Sequence, residues 1–252
     1  MAALDRLEVE VAEKRFAARD DSGARTVLRG LSLAVPRGQF LCILGPSGCG
    51  KTTLLNIVSG LDRDFDGSVR WSEGAGALPR IGYVFQEPRL LPWLTVSENV
   101  ELVLKEQDRD AVFVAHLLEV AGLEEFRQAY PQRLSLGLAR RVALVRAFAI
   151  KPDLLLMDEP FVSLDRPTAE RLRGLLTRIW SERPTTVIFV THDLGEALQL
   201  ADRIVQLSAS PASVVADLEV PLPRESRQDR AAMERLRGDL ARDQPLLSGE
   251  ME

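Results

Sequence analysis

Cysteine and histidine are scarce in this chain of 252 residues. The two cysteines, Cys42 and Cys49, are too few for a disulfide framework, and no Cys/His spacing typical of zinc is present. Long apolar runs are also missing, since stretches such as 154–157 and 187–190 fall far short of the roughly 18 residues of a membrane-spanning helix. Residues 1–11 lack the apolar segment of a signal peptide. These absences exclude secreted and integral-membrane classes and predict a cytosolic protein.

An excess of positive charge is absent too. The formal net charge is -5 and the isoelectric point is about 5.3, which argues against nucleic acid as a partner. Only four of the 32 basic residues are lysines, and the arginines are scattered rather than clustered. With 46% hydrophobic and 27% charged residues, the composition excludes disordered and collagen-like chains. The length suits one large domain, or a domain with an inserted subdomain.

Short apolar runs alternate with helical patterns along most of the chain. Strands are predicted over 7–11, 31–35, 40–44, 81–85, 154–157, 186–190 and 203–207, and helices over 51–59, 96–104, 111–121, 138–150, 167–180 and 194–200. This alternation predicts an α/β fold with a mostly parallel sheet. Residues 87–150 show helical patterns only, which predicts a helical subdomain inserted in a domain spanning 1–220. The polar segment 221–252, with one helical stretch near 229–240, is predicted to be an appendage.

A glycine-rich loop joins the predicted strand 40–44 to the helix that follows. It matches the phosphate-loop pattern G-x-x-x-x-G-K-[ST] with Gly45, Pro46, Ser47, Gly48, Cys49, Gly50, Lys51 and Thr52. Glycines let backbone N–H groups wrap a phosphate, and the start of the helix adds partial positive charge. We expect Lys51 to reach the β- and γ-phosphates, Thr52 to hold Mg²⁺, and Thr53 to belong to the same nucleotide site. The alternative is a plain glycine turn, but a chance match in such a chain has odds of about one in a hundred.

Two adjacent carboxylates, Asp158 and Glu159, follow the apolar strand 154–157. Ligands of open α/β sheets bind beyond the carboxyl ends of the strands, where this pair is expected to lie. Asp158 would act on Mg²⁺ through its water shell, and Glu159 would orient and deprotonate an attacking water. On its own such a pair is a solvated acidic turn, and only the phosphate loop favours the functional interpretation.

Four more segments match one family in its order along the chain. They are Gln86 after strand 81–85, the segment 134–138 (Leu-Ser-Leu-Gly-Leu), the segment 163–165 (Ser-Leu-Asp), and His192 after strand 186–190. Over about residues 5–215 the chain resembles the ATP-binding subunit of an ABC (ATP-binding cassette) transporter, with these four as its Q-loop, signature, D-loop and switch histidine. Alone, Gln86 would be a polar loop residue and His192 a structural histidine, so it is their joint occurrence that favours the family.

The resemblance implies a P-loop NTPase fold with an N-terminal antiparallel β part and an inserted α-helical subdomain. It implies that Gln86 is a Mg²⁺ ligand, that His192 contacts the γ-phosphate, and that Asp165 of the D-loop lies at the nucleotide site. Two such subunits pair head to tail in this family. ATP then lies between the phosphate loop of one copy and Ser135 and Gly137 of the other.

The chain departs from the family pattern in its signature. Leu136 replaces a glycine and Leu138 replaces the glutamine, while Ser135 and Gly137 keep a hydroxyl and free N–H groups at the helix start. We expect weaker closure on ATP from the added Leu136 side chain, the alternative being a tolerated variant with Leu136 packed outward.

Two further residues of the predicted nucleotide site have open alternatives. Phe16 is the candidate for the family's adenine-stacking aromatic, or else it packs in the core of the first sheet. Cys49 in the phosphate loop is either a small spacer or a thiol activated by the start of the helix.

Residues 86–100 and the segment 159–161 are similar to subunits of importers for nitrate, sulfonate, taurine and related small solutes. This similarity implies an ATPase that uses ATP and Mg²⁺, works as a homodimer on the inner face of the membrane, and serves a permease and a solute-binding protein. Leu90, Leu91 and Trp93 are expected to form an apolar patch for the permease, or to cap the helical subdomain's own core. The alternatives are another transport system, such as export or lipid transport, and a soluble non-transport ABC ATPase.

Overall fold

The structure is a computed structural model that describes residues 6–17, 24–71 and 79–243. These residues fall into two compact units, one drawn from residues 1–74 and 186–252, the other from residues 75–185. The ends of the chain named in the sequence predictions, residues 1–5 and 244–252, lie outside the described residues.

The first unit begins with an antiparallel sheet of three strands. Strand β1 (Arg6–Phe16) lies between β2 (Arg25–Pro36) and β4 (Asp66–Trp71). Leu7, Val9 and Val11 are buried while Glu10 between them is exposed, which is the period of two that a sheet covered on one face requires.

The same unit contains the strands that precede Gly45 and His192, two of the predicted site residues. Strand β3 (Phe40–Leu44) pairs in parallel with β7 (Thr186–Thr191) and β8 (Arg203–Leu207), and β9 (Val214–Glu219) joins β8 antiparallel. Every residue of β3 and β7 is buried, as continuous apolar strands covered on both faces must be. The helices of this unit are α1 (Lys51–Val58), α6 (Leu194–Leu200) and α7 (Arg230–Asp243).

Part of the predicted tail packs on this unit. A 3-10 segment (Arg224–Gln228) precedes α7 and contacts both α6 and α7. The buried guanidinium of Arg227 donates to the carbonyl oxygens of Ala201 at 2.6 Å and Leu222 at 2.9 Å. The described part of the tail is thus hydrogen-bonded to the end of α6.

The second unit has a parallel strand pair and a set of helices. Strand β5 (Ile81–Val84) pairs with β6 (Leu154–Asp158), and every regular element between them, in residues 85–153, is helical. The α-helices of the unit are α2 (Val96–Glu101), α3 (Ala111–Val120), α4 (Leu136–Ala149) and α5 (Arg166–Glu182). Thr95 caps α2 in a capping box with Glu98, which fixes where that helix begins.

The expected fold class is confirmed, with its mostly parallel core strands, its N-terminal antiparallel part and its helical insertion. The domain boundaries at 87, 150 and 220 stay predictions. Strands β4 and β9 are additions that the sequence patterns did not predict. Within the described ranges, no helix has the length and apolar character needed to cross a membrane.

Candidate functional site

The phosphate loop lies between the buried strand β3 and helix α1. Gly48 and Gly50 have φ angles of 72° and 118°, a left-handed backbone that favours glycine. A Cβ atom on Gly50 would also lie 2.7 Å from Cγ1 of Val27, so this position excludes larger residues for two reasons. Helix α1 has no side-chain cap at its start, which leaves its first N–H groups for a ligand, solvent or the backbone. Ser47, Gly48 and Thr52 are exposed, so the loop is open to solvent.

Lys51 folds back over this loop. Its Nζ atom donates to the carbonyl oxygens of Gly45 at 2.8 Å and Pro46 at 2.9 Å, and the side chain is only 5% exposed. A buried ammonium group needs such acceptors, and phosphate oxygens are stronger ones because they are charged. The Lys51 ammonium group is therefore held against the backbone of the phosphate loop.

His192 follows a strand that is the direct neighbour of the phosphate-loop strand. Leu44 of β3 pairs with Thr191 of β7 in a parallel register, so Gly45 and His192 both follow the carboxyl ends of adjacent strands. Asp193, the N-cap of α6, accepts hydrogen bonds from the backbone N–H groups of Gly195 at 2.6 Å and Glu196 at 3.2 Å. This cap fixes the backbone directly after His192, whose ring is exposed.

In the second unit the paired strands β5 and β6 bring Gln86 to the same end as the acidic pair. Val84 lies opposite Met157 in the parallel register, so Gln86 and Asp158 lie just beyond these paired positions. Asp158 is 4% exposed, whereas Gln86 is exposed. Glu159 has a φ of 42°, a left-handed backbone conformation that costs a residue other than glycine about 1–3 kcal/mol. Such strain is found mostly where function requires an unusual side-chain direction.

The signature segment forms the start of α4. Ser135 is its N-cap, and the Ser135 Oγ atom accepts a hydrogen bond from the Leu138 N–H at 3.3 Å. Leu136 is the first residue of the helix and is 44% exposed, so both interpretations of this residue stay predictions. Gly137 follows within the same first turn.

Asp165 is the N-cap of α5, as Ser135 is the N-cap of α4. Its carboxylate caps that helix by accepting from the Thr168 N–H at 3.0 Å. The hydrogen bonds from Thr168 hold the pKa of the Asp165 carboxyl below its usual value, so the group stays ionised. Two predicted site residues, Ser135 and Asp165, are therefore helix caps of the second unit.

Phe16 and Cys49 lie in the first unit and differ in exposure. Phe16 ends β1 and is 45% exposed, with the Lys14 Nζ atom 4.7 Å from its ring centroid. That exposure is unlike a core residue and leaves a ring face available for stacking. Cys49 is 2% exposed and its backbone N–H closes a turn onto the Pro46 carbonyl oxygen, as a small spacer would.

The donor groups of each unit fit a nucleotide with Mg²⁺. In the first unit, left-handed glycines, an uncapped helix start and a lysine ammonium suit phosphates, and Thr52 offers an oxygen ligand of the kind that Mg²⁺ prefers. In the second unit, Gln86 and Asp158 offer oxygen ligands of the same kind. Among the described residues, no group of three or more His, Cys, Asp or Glu side chains could hold a metal by itself.

Arg140 is a residue of this region that the sequence analysis missed. It is buried on α4 and donates to backbone carbonyl oxygens of the segment 159–162, which begins with Glu159. One signal was available, because Arg140 lies four residues before Leu144 and therefore on the buried face of the helix. An arginine on such a face needs acceptors, although the sequence does not say which.

A buried strand, a left-handed glycine loop and a lysine folded over it define a phosphate-loop nucleotide-binding protein. The ABC transporter family model matches residues 28–162. Proteins described as aliphatic sulfonates import ATP-binding proteins are similar over most of the chain. The one from Burkholderia lata is 45% identical over 85% of this chain and 80% of its own length. Those from Pseudomonas syringae and Bacillus cereus are 42% and 40% identical, over 88% and 82% of this chain and 89% and 85% of theirs.

Solved structures that resemble this chain belong to the same family. A bacterial ABC transporter cassette solved as a dimer has a TM-score of 0.72 and 30% identity, covering 86% of this chain and all of that one. An ATP-binding cassette in a post-hydrolysis dimer with ADP and Pi has a TM-score of 0.71 at the same identity and coverage. The chain belongs to the ABC transporter family. The predicted resemblance is confirmed, and with it the assignment as an ATP-hydrolysing subunit; the roles of individual site residues stay predictions.

Proposed function

We propose that this chain powers the import of aliphatic sulfonates through a separate membrane permease by binding and hydrolysing ATP. The observation that supports the substrate is the 40–45% identity to proteins named for aliphatic sulfonate import, over at least 82% of the chain. The sequence had predicted a wider group of small solutes that included nitrate and taurine. Because the solute crosses the permease and need not touch this chain, its identity follows from relatedness alone.

Binding of ATP is assigned to the phosphate loop. Backbone N–H groups of residues 45–53, apart from Pro46, which has none, would bind the phosphates. Lys51 would exchange the carbonyl oxygens of Gly45 and Pro46 for the β- and γ-phosphate oxygens. Phe16 would stack its exposed ring face on the adenine. Thr52, Gln86 and Asp158 would hold Mg²⁺, which neutralises charge on the phosphates.

Hydrolysis is assigned to Glu159 and His192. The Glu159 carboxylate would orient a water molecule and accept its proton as the water attacks the γ-phosphate. His192 would donate a hydrogen bond to the γ-phosphate oxygens, which take up charge in the transition state. ADP and inorganic phosphate are the products.

Pairing of two identical subunits would complete each site. Ser135 and Gly137 at the start of α4 would reach the γ-phosphate held by the partner copy, and Asp165 would lie at the same interface. Both related cassette structures are dimers, which supports this arrangement. ATP would then close the pair and hydrolysis would reopen it, which changes the state of the permease.

Contact with the permease is assigned to the loop after Gln86. Trp93 is 68% exposed, so it does not cap a core, and Leu90 and Leu91 are half-buried. The loop is held by Asn99, which is fully buried and bonds both the N–H and the carbonyl oxygen of Leu91. A rigid loop that presents an exposed tryptophan suits an apolar partner surface. A solute-binding protein outside the membrane would complete the importer, with this chain on the inner face.

The Glu159→Gln variant tests the ATPase assignment. With Mg²⁺ and ATP it should lose at least about a hundredfold in kcat and accumulate as an ATP-bound dimer, because binding is kept and the base is lost. Glu170→Gln on the surface of α5 is the matched control and should behave as wild type. Wild-type turnover in Glu159→Gln would remove Glu159 from this role.

Uptake of solute tests the transport assignment. Cells that lack the gene should fail to take up labelled ethanesulfonate, and the wild-type gene but not Lys51→Ala should restore uptake. Nitrate uptake serves as the second arm of the experiment. Loss of nitrate uptake with normal sulfonate uptake would overturn the sulfonate assignment while leaving the ATPase intact.

A further inference from the structure

Arg140 joins helix α4 to the backbone that follows strand β6. Its Nη1 atom donates to the carbonyl oxygen of Pro160 at 2.6 Å and, more weakly, to that of Glu159 at 3.4 Å, and its Nη2 atom donates to that of Val162 at 2.8 Å. The side chain is 6% exposed, and burial lowers the pKa of its guanidinium. A charge kept in such a place needs well-aligned acceptors, and here backbone carbonyl oxygens provide them.

The segment bonded by Arg140 has an unusual backbone. Glu159, its first residue, and Ser163, which follows it, have φ angles of 42° and 62°. The Val162 N–H donates to the Glu159 carbonyl oxygen at 3.2 Å, and the Leu164 N–H just beyond the segment donates to that of Phe161 at 3.3 Å. Residues other than glycine stay left-handed only where their surroundings hold them. The planar fork of a guanidinium can hold several carbonyl oxygens in one fixed arrangement.

Helix α4 begins one residue after Ser135, and Arg140 lies on its second turn. An α-helix rises about 1.5 Å per residue and moves as a rigid body over so short a distance. A displacement at Ser135 therefore reaches Arg140 undamped, and with it the carbonyl oxygens of residues 159–162. This connection joins Ser135, to which we have assigned a contact with the ATP of the partner copy, to Glu159, which acts on the ATP of its own copy.

We propose that Arg140 is a positioning residue that holds the Glu159 backbone in its left-handed conformation and couples it to the signature helix. The inference rests on the proposed roles of Glu159 and Ser135. ATP that the partner copy holds against Ser135 would thereby change the position of Glu159, which acts on the other ATP. The activity of each site would then depend on whether the second site contains ATP, and hydrolysis would be cooperative in ATP.

A purely structural arginine is the competing explanation, and the next residue on the helix provides its control. Arg141 donates to the Ala121 carbonyl oxygen at 3.1 Å, away from the segment 159–162. Arg140→Lys and Arg141→Lys therefore make the same chemical change at adjacent positions. Lysine keeps the charge but has a compact ammonium in place of the planar fork.

Hydrogen exchange of the nucleotide-free protein provides a readout that does not depend on activity. Arg140→Lys should speed exchange of the Val162 and Leu164 amides by about tenfold, because the turn opens more often. Arg141→Lys should leave both amides unchanged. Unchanged exchange at Val162 and Leu164 in a folded Arg140→Lys protein, or an equal effect of Arg141→Lys, would overturn the proposal.

Kinetics test the consequence for Glu159. Arg140→Lys should lower kcat by about tenfold with KM for ATP within about twofold of wild type, and should bring the Hill coefficient for ATP towards 1. Arg140→Gln is the second variant should Arg140→Lys fold poorly, with the same expectations. An active wild type whose Arg140 variants match it in kcat and Hill coefficient would refute this inference alone. A wild type without ATPase activity would instead refute the proposed function.

Discussion

A Cβ atom placed on Gly137 would lie 2.6 Å from Cγ2 of Thr168. Gly137 is in the first turn of α4, just after its cap Ser135, and Thr168 is in the first turn of α5, just after its cap Asp165. The starts of these two helices therefore approach each other as closely as a glycine allows. Both caps are residues to which we assign a place at the dimer interface, so this contact sets their spacing within the second unit.

Replacement of Gly137 by alanine tests whether this contact is as tight as the geometry indicates. Alanine would add about 1 kcal/mol of helix propensity if space were available. Overpacking against Thr168 should instead lower the free energy of unfolding by about 1–3 kcal/mol. Denaturant unfolding of Gly137→Ala and wild type measures whether the free energy of unfolding rises or falls.

A second substitution isolates the cause. Thr168→Ser removes the Cγ2 atom but keeps the backbone N–H that donates to the Asp165 carboxylate. The double variant Gly137→Ala/Thr168→Ser should therefore recover most of the stability that Gly137→Ala loses. Thr168→Ser alone is the control and should change stability little. Strictly additive effects of the two substitutions would contradict a direct clash.

The exposed Leu136 side chain leads to a prediction about pairing. Leu136→Gly should lower the ATP concentration that drives dimerisation by roughly threefold to tenfold, about 0.7–1.4 kcal/mol, because it removes a side chain at the surface assigned to the nucleotide. The measurement is sedimentation of the Glu159→Gln protein with and without the change, over a range of ATP concentrations. Leu102→Gly, at another exposed leucine, controls for general effects. Dimerisation that matches the Glu159→Gln parent, together with wild-type turnover in Leu136→Gly alone, would show that Leu136 is a tolerated variant.

The elements that the sequence predicted best are those whose local pattern and burial agree. Strands β3 and β8 and helix α6 have the predicted bounds, since apolar runs of the right period are closed by turn or capping residues. Helix α4 begins two residues earlier than predicted because Ser135 caps it, and the leucines that follow hide the start of the periodic pattern.

Strands β4 and β9 could not be predicted because their residues are mostly half-buried or exposed. Their extended conformation comes from pairing, β4 with β1, which is distant in the sequence, and β9 with its sequence neighbour β8. The candidate site shows the same division. Its motifs are local and could be identified, whereas Arg140 acts on residues about twenty positions away, which only the fold reveals.

The carboxylate of Asp110 links two elements and predicts a pH dependence. Its Oδ2 atom accepts from the Lys151 Nζ atom at 2.8 Å, and its Oδ1 atom accepts from the Phe113 N–H at 3.0 Å as the N-cap of α3. These bonds, with Lys151 the main cause, hold the pKa of Asp110 below its usual value. A group with a lower pKa in the folded state stabilises the fold above its unfolded pKa, and this stabilisation is lost as the pH falls through the folded value.

Asp110→Asn should therefore destabilise the protein at pH 7. Its effect should decrease as the pH falls below about 4, the usual pKa of an aspartate in an unfolded chain, and should disappear once the pH is below the lowered pKa of the folded carboxyl. Asparagine still caps helices, so the cap is kept and the difference reports the charge. Thermal unfolding of wild type and Asp110→Asn between pH 3 and 7 measures the difference in stability between them. The exposed Asp108→Asn is the control. A difference between Asp110→Asn and wild type that is constant over this range would refute the assignment.

The exposed ring of Phe16 gives a prediction about nucleotide affinity. Lys14 beneath it is 2% exposed and paired with Asp62 at 2.9 Å, so the ring rests on a fixed cation. Stacking on a base contributes about 1–3 kcal/mol, so Phe16→Ala should raise KM for ATP by roughly 5-fold to 150-fold while kcat at saturation is kept. Phe16→Trp should retain the affinity because it keeps an aromatic face.

Phe16→Leu separates stacking from simple apolar contact, because leucine fills similar space without an aromatic face. We expect KM for Phe16→Leu to lie near that of Phe16→Ala. If Phe16→Leu and Phe16→Trp both bound ATP as wild type does, the ring would be an apolar contact only. If Phe16→Ala left KM unchanged, the adenine would bind elsewhere, and the roles assigned to the phosphate loop would be unaffected because that loop binds the other end of the nucleotide.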